Sequence, residues 1–324
     1  MKPLFLIFST IFPLSLFAQF DGIVGSVGCK AIHVDDARFV EWASDCEIMR
    51  GYQDIARKQL GFVFFGDAES AIGKASKTTT EAVSLGDGGT AVLTFQTPIV
   101  NGEGADFAVF ENSFSDAFLE LAFVEISSDG EHYFRFPATS NTQTETQVTS
   151  SGLIDATKIN NLAGKYRIGW GTPFDLEELP ENENLDKNDV THVKIIDVVG
   201  TINPEFASHD SENNIINDPY PTAFAGYGSG GFDLTGIGVI HNQNNLAVKE
   251  IEQPRIFIYN NGVELKIENA KLNIENVEIF DISGKKLNNF QFSIFNFQLK
   301  IDISALPKGV YLIKTGNFAE KFVK

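Results

Sequence analysis

Cysteine is scarce in this chain: Cys29 and Cys46 are the only two in 324 residues. So small a supply excludes a scaffold knitted by several disulfides. No histidine stands at ligand spacing beside either thiol, which argues against a zinc ribbon. Long apolar runs are missing as well. The run from Leu4 to Phe17 falls short of the roughly 20 residues that span a bilayer, and no second run reaches its length. The five histidines (His33, His132, His192, His209, His241) form no H-E-x-x-H pair, and no G-x-S-x-G occurs. The sequence signatures of zinc proteases and of α/β-hydrolases are therefore absent. Positive charge is also short, and unevenly so. Residues 249–324 carry 11 Lys and Arg against 9 Asp and Glu, whereas the preceding 248 carry 14 against 34. So acidic a region repels phosphate backbones and anionic lipid, which argues against nucleic-acid or membrane-surface binding.

What is present points first to an address. Lys2, the apolar run and Ala18-Gln19 have the layout of a secretory signal peptide over residues 1–19. Export implies an oxidising compartment, so Cys29 and Cys46 are expected to pair. A bridge across their 17-residue separation would stabilise by about 3 kcal/mol in the chain-entropy picture.

The pattern is that of an all-β protein. Across Val83–Gly130, three short runs rich in β-branched and aromatic residues (Thr90–Phe95, Asp106–Glu111, Leu119–Ser127) alternate with glycine and aspartate turns. Further strands are expected at Leu60–Phe65, Val190–Val199 and Phe232–Ile240. The 29 phenylalanines supply a sizeable core. One helix is expected over Asp36–Ile55, where Phe39, Trp42, Ala43 and Cys46 fall at i, i+3, i+4, i+7. Polar Ala138–Gly152 and Asn203–Pro221 are expected as exposed loops. The predicted organisation is a jelly-roll β-sandwich passenger over 20–241, a polar linker over 242–254, and a small β-sandwich over 255–324.

Two resemblances add to this. The strings V-E-I-F-D-I-S-G-K-K-L at Val277–Leu287 and I-D-I-S-A-L-P-K-G-V-Y-L-I-K at Ile301–Lys314, with the basic K-F-V-K at Lys321–Lys324, resemble the C-terminal sorting domain of type IX secretion. The family usually shows a Pro-Asn-Pro turn where this chain has I-Y-N-N-G at Ile258–Gly262. This resemblance implies passage through the outer membrane, recognition by the translocon, and attachment at the cell surface or release. The passenger, through S-L-G-D-G-G, D-F-A-V-F-E-N, N-D-P-Y-P-T and G-G-F-D-L, resembles a family of bacterial exported cell surface proteins. More faintly it resembles discoidin-like, galactose-binding-like jelly rolls, which implies a sandwich that takes ligands at one end and often holds a structural calcium.

Candidate chemistry is oxygen-based. Asp210, Glu212, Asn214 and Asp218 place side-chain oxygens at short intervals, a pattern that suits a hard cation such as calcium, and equally a turn. Asp106, Glu111 and Asp129, at strand ends, are candidates to join such an ion. Strand alternation sets Glu111 on the same face as Phe107 and Val109, so its carboxylate should be paired, ion-bound or at the rim. G-Y-G-S-G-G at Gly226–Gly231 matches a dinucleotide fingerprint in form only, because a strand rather than a helix follows it. The function expected from all this is a surface-displayed binding protein or adhesin with structural calcium. The alternatives are a carboxylate-dependent polysaccharide hydrolase, or an accessory protein that captures a glycan or corrinoid for a transporter.

Overall fold

The computed structural model describes residues 20–223, 227–246, 257–260, 264–268, 277–287, 292–295, 298–315 and 318–324. The expected signal peptide lies outside them, as does most of the expected linker. The chain divides into two compact units, Met1–Leu246 and Ala247–Lys324.

The described residues of the first unit form thirteen strands: β1 (Ile32–His33), β2 (Glu41–Trp42), β3 (Asp45–Met49), β4 (Val83–Ser84), β5 (Thr90–Ile99), β6 (Phe107–Glu111), β7 (Ala122–Ser127), β8 (Phe134–Arg135), β9 (Thr139–Ser140), β10 (Ile159–Asn160), β11 (Trp170–Phe174), β12 (Val190–Asp197) and β13 (Asp233–Val239). One large sheet runs β1-β11-β6-β13-β2, with β4 also on β13, and the other runs β3-β5-β12-β7-β8, while β9 and β10 pair as a separate two-stranded sheet. The pairings within both are antiparallel. This is an all-β sandwich. Phe107 and Val109 of β6 meet Leu93 of β5, Val124 of β7 and Val193 and Ile195 of β12 in one core, all essentially sealed from solvent. Phe107, Phe136 and Phe174 stack and abut within it. The burial of β12 alternates as a strand with one covered face should.

The expected helix at Asp36–Ile55 is a correction. The stretch instead forms β2 and β3, one in each sheet. The apparent helical period counted residues that go to different places. Phe39 and Trp42 pack against Phe110 on the outer side of the first sheet, whereas Ala43 and Cys46 enter the main core.

The disulfide is a second correction: both thiols are free. Cys46 lies in β3 opposite Leu93, buried in the core, where desolvation pushes its thiol up to about 12. Cys29 borders a surface pocket described below. Sequence separation gives the size of a loop, not the distance between its ends, and the helix that would have carried Cys46 toward Cys29 does not exist.

The loops expected to be exposed are only partly so. Ala138, Ile154, Ile159 and Ile216 join Phe123 in a second apolar cluster covering the outer side of the β7 end. Asn217, fully buried, clasps the neighbouring loop. Its amide donates to Gln143 O at 2.6 Å and Thr146 O at 2.9 Å, and its Oδ1 accepts from Val148 N at 2.9 Å.

Among the described residues the second unit has eight strands: β14 (Phe257–Asn260), β15 (Glu264–Glu268), β16 (Val277–Asp281), β17 (Lys286–Leu287), β18 (Phe292–Phe295), β19 (Gln298–Asp302), β20 (Val310–Thr315) and β21 (Phe318–Val323). They form two four-stranded sheets, β14-β15-β19-β18 and β17-β16-β20-β21. Leu265, Ile279, Ile301, Ile303, Tyr311, Ile313 and Phe322 make the core. The Ser283-Gly284 turn is organised by Asp281, whose Oδ1 accepts from Ser283 N and Lys285 N, while Gly284 takes φ +82°.

Candidate functional site

Antiparallel pairing brings the end of β6, the start of β13, the start of β7, the end of β12 and the start of β5 to one end of the sandwich. Acidic residues sit at each of these places. Glu111 closes β6, Asp233 opens β13, Glu120 precedes β7, Asp197 closes β12 and Asp87 precedes β5. Asp218 arrives from the loop after β12, with Oδ2 accepting from Leu121 N at 3.0 Å. All six are buried.

Their surroundings hold them toward the neutral form. Burial drives Glu111, Glu120, Asp197 and Asp218 well above the ordinary carboxylate range, and neighbouring carboxylates add to the effect. Burial likewise pushes Asp233 up to about 6, against hydrogen bonds from Ser84 and Asn112. Asp87, Glu120, Asp197 and Asp218 border one small cavity. Glu111 keeps Oε2 on Ser113 N at 2.6 Å, but its buried Oε1 has no partner. The alternation that put Glu111 on the core-facing side of β6 is what the structure has.

At the other end of β6, Asp106 is saturated. It accepts from Gly102 N at 2.7 Å, Leu176 N at 2.8 Å and His241 Nδ1 at 2.7 Å. Asp129 stands far along the chain in an exposed turn, accepting from Glu131 N, His132 N and His132 Nδ1. Those hydrogen bonds hold it below the usual carboxylate range. Asp210 is also a turn former: Ser140 N, Glu212 N and Asn214 N all donate to it, at 2.9, 3.0 and 2.8 Å. Glu212 and Asn214 themselves are exposed. Among the described residues, no group of three or more acidic, histidine or cysteine side chains is placed to hold a metal ion. Of the seven oxygen-bearing residues singled out in the sequence, Glu111 and Asp218 share the acidic end, and Asp218 alone borders its cavity.

A roomier concavity lies elsewhere. A pocket of about 440 Å³ opens beside β1, β11 and the segment leading into β6, lined by Lys30, Arg38, Asn160, Lys165 and Tyr166 among others. Its floor is a buried triad. Asp21 Oδ1 accepts from Lys165 Nζ at 2.7 Å, and Asp21 Oδ2 accepts from the Tyr166 hydroxyl and from Lys30 N at 3.0 Å. Burial alone would raise Asp21, but Lys165 and Tyr166 hold it below its ordinary value. Burial lowers Lys165 and raises Tyr166, the latter helped by the bond to Asp21. A cleft of this volume with converging polar groups has the size and chemistry of a small-ligand site. Nothing in the linear sequence marked it, because Asp21 and Lys165 lie far apart along the chain.

The architecture is thus a large β-sandwich followed by a small one. Residues 259–324 match the family described as secretion system C-terminal sorting domain. No curated protein matches the chain. The second unit is therefore a type IX secretion sorting domain, and the protein is a secreted or outer-surface protein that interacts with the type IX machinery. Among the described residues no helix is long and apolar enough to cross a membrane.

Proposed function

We propose that this is a cell-surface binding protein, or adhesin, whose sandwich is displayed by type IX secretion and takes a small polar ligand in the pocket around Asp21, Lys165 and Tyr166. The observation that carries the reading is a pre-formed pocket of about 440 Å³ on a unit attached to a sorting tail. Its lining mixes donors (Lys30, Arg38) with amide groups (Asn160, Asn161) and apolar wall (Ala31, Ile32, Pro173). That combination suits a glycan or the amide-fringed rim of a corrinoid better than a polyanion. Exposed Phe62 and Phe64, at the acidic end, offer a second sticky surface for adhesion. Calcium enters the reading as a structural ion.

A polysaccharide hydrolase is the second reading, favoured by Asp175 and Glu178 bordering the same pocket. Titration of the full chain with soluble glycans and with cobalamin decides between them. The binding reading expects saturable heat without product, and affinity at least about tenfold weaker in the Lys30→Glu, Asn160→Ala double variant. Release of reducing sugar would move the assignment to the hydrolase. No binding of any such ligand would sink both.

A further inference from the structure

The geometry points to the ligand class of the pocket beside β1 and β11: a sugar residue carrying a primary ammonium group, which sits against Asp175 and Glu178. This names the ligand for, and rests on, the binding function proposed above.

The charges around the pocket are matched except at one edge. Lys165, only 3% exposed, donates from Nζ to Asp21 Oδ1 at 2.7 Å and to Ile159 O at 2.9 Å. Arg38 is turned to Asp36, with Nε on Oδ1 at 3.0 Å and Nη2 on Oδ2 at 2.8 Å. Asp175 and Glu178 have no such counterpart. Asp175 Oδ1 accepts from Glu177 N at 2.9 Å, and Glu178 Oε2 accepts from the Asn161 amide. Among the described residues, Asp175 Oδ2 and Glu178 Oε1 have neither a hydrogen-bond nor an ion-pair partner. Lys30, the third cation on the lining, makes no ion pair with either.

The fold sets these two carboxylates side by side. Phe174, at the end of β11, is sealed in the core, and Leu176 N is held by Asp106 Oδ2 at 2.8 Å. Between those anchors Asp175 caps the single 3-10 turn Leu176–Glu178. Side chains three positions apart eclipse in such a turn, so Asp175 and Glu178 stand along one edge of it, and both border the pocket.

Two neighbouring carboxylates with an oxygen each to offer select an ammonium. The rest of the lining calls for a sugar ring to carry it. A lysine ammonium has three protons and Lys165 uses two, which leaves a donor on the pocket floor for a ligand hydroxyl. Ile32, Ala105 and Pro173 form an apolar wall that suits the C–H face of a pyranose. The surroundings act in the same sense. With 14 Lys and Arg against 34 Asp and Glu, the first 248 residues draw a cation in and turn anionic sugars away.

The test is calorimetric titration of the full chain, at slightly acid pH, with methyl glucosaminide, its N-acetyl form, methyl glucoside and Nα-acetyl-lysine amide. The amine-bearing sugar should bind at least about tenfold more tightly than the other three. Asp175→Asn, which keeps a capping side chain, and Glu178→Gln should each weaken it by at least about tenfold. Glu131→Gln, in the exposed turn after β7, should bind like the parent. Equal binding of the N-acetyl sugar or the glucoside would overturn the ammonium assignment and leave the binding function standing. Equal binding of the lysine amide would overturn the sugar. If the parent binds none of these, nor soluble glycans nor cobalamin, the assignment and the function beneath it both fall. The comparison of amine with N-acetyl form on the parent needs no variant, so it decides even where a variant fails to fold.

Discussion

Asp106 and Glu111 stand at opposite ends of β6, five residues apart, and both are buried. Asp106 receives three hydrogen bonds and ties three segments together. Glu111 receives one and leaves an oxygen bare. Burial is the same at both ends, but partnership is not. A sealed carboxylate with a full set of donors is part of the frame, and one without them is driven to keep its proton. The same contrast separates saturated Asp210 from unpartnered Glu120.

Four measurements test that contrast. The largest effect should come from Asp106→Ala, which strands two backbone amides and His241 in the interior. Calorimetry should show the first unit destabilised by about 3–5 kcal/mol. A loss below 1 kcal/mol would mean that this end is no better braced than the other.

Next in size is the pH response of the acidic end in EDTA. Asp233 lies at about 6 in the folded state against an ordinary 3.8, so the folded chain keeps a proton that the unfolded chain gives up. The contribution of this group is therefore full below about pH 4 and is lost as pH rises through about 6, by roughly 3 kcal/mol. Urea titrations across that range should show the fall, and Asp233→Asn should flatten it.

Glu111→Gln should act in the opposite direction to Asp106→Ala. Replacing a buried carboxyl whose Oε1 has no partner by an amide should leave stability at pH 7 unchanged or raised by about 1 kcal/mol, read from the urea midpoint. Reductant should do least of all. With both thiols free, dithiothreitol should leave the melting temperature where it was. A clear drop would restore the Cys29–Cys46 bridge.

Much of the architecture was legible because it is written locally. The alternation in Val190–Asp197, the glycine and aspartate turns and the sorting-domain strings each involve neighbours along the chain. The face of Glu111 followed from its place in β6. What was not legible depends on distant segments meeting. Phe39, Trp42 and Cys46 mimicked a helix because strands crossing between sheets also place apolar groups at irregular intervals. Asp87, Glu120, Asp197 and Asp218 span most of the first unit, and their meeting is set by strand register and by the loop after β12 that carries Asp218. The Asp210–Asp218 stretch looked like an ion loop, yet a turn asks for the same oxygens, and at Asp210 the backbone takes them all. The Asp21–Lys165–Tyr166 pocket had no local sign.

One feature of the second unit bears on how it is read during export. Lys321–Lys324, the basic string that resembled a sorting signal, is no loose peptide. Lys321 pairs with Leu312, Phe322 with Tyr311, and Lys324 Nζ caps Ser304 O at 2.6 Å. Strand β21 is the outermost of its sheet. A receptor that meets this unit folded encounters relief rather than lettering: charge and contour along a sheet margin, laid out by residues as remote in order as Ser304 and Lys324.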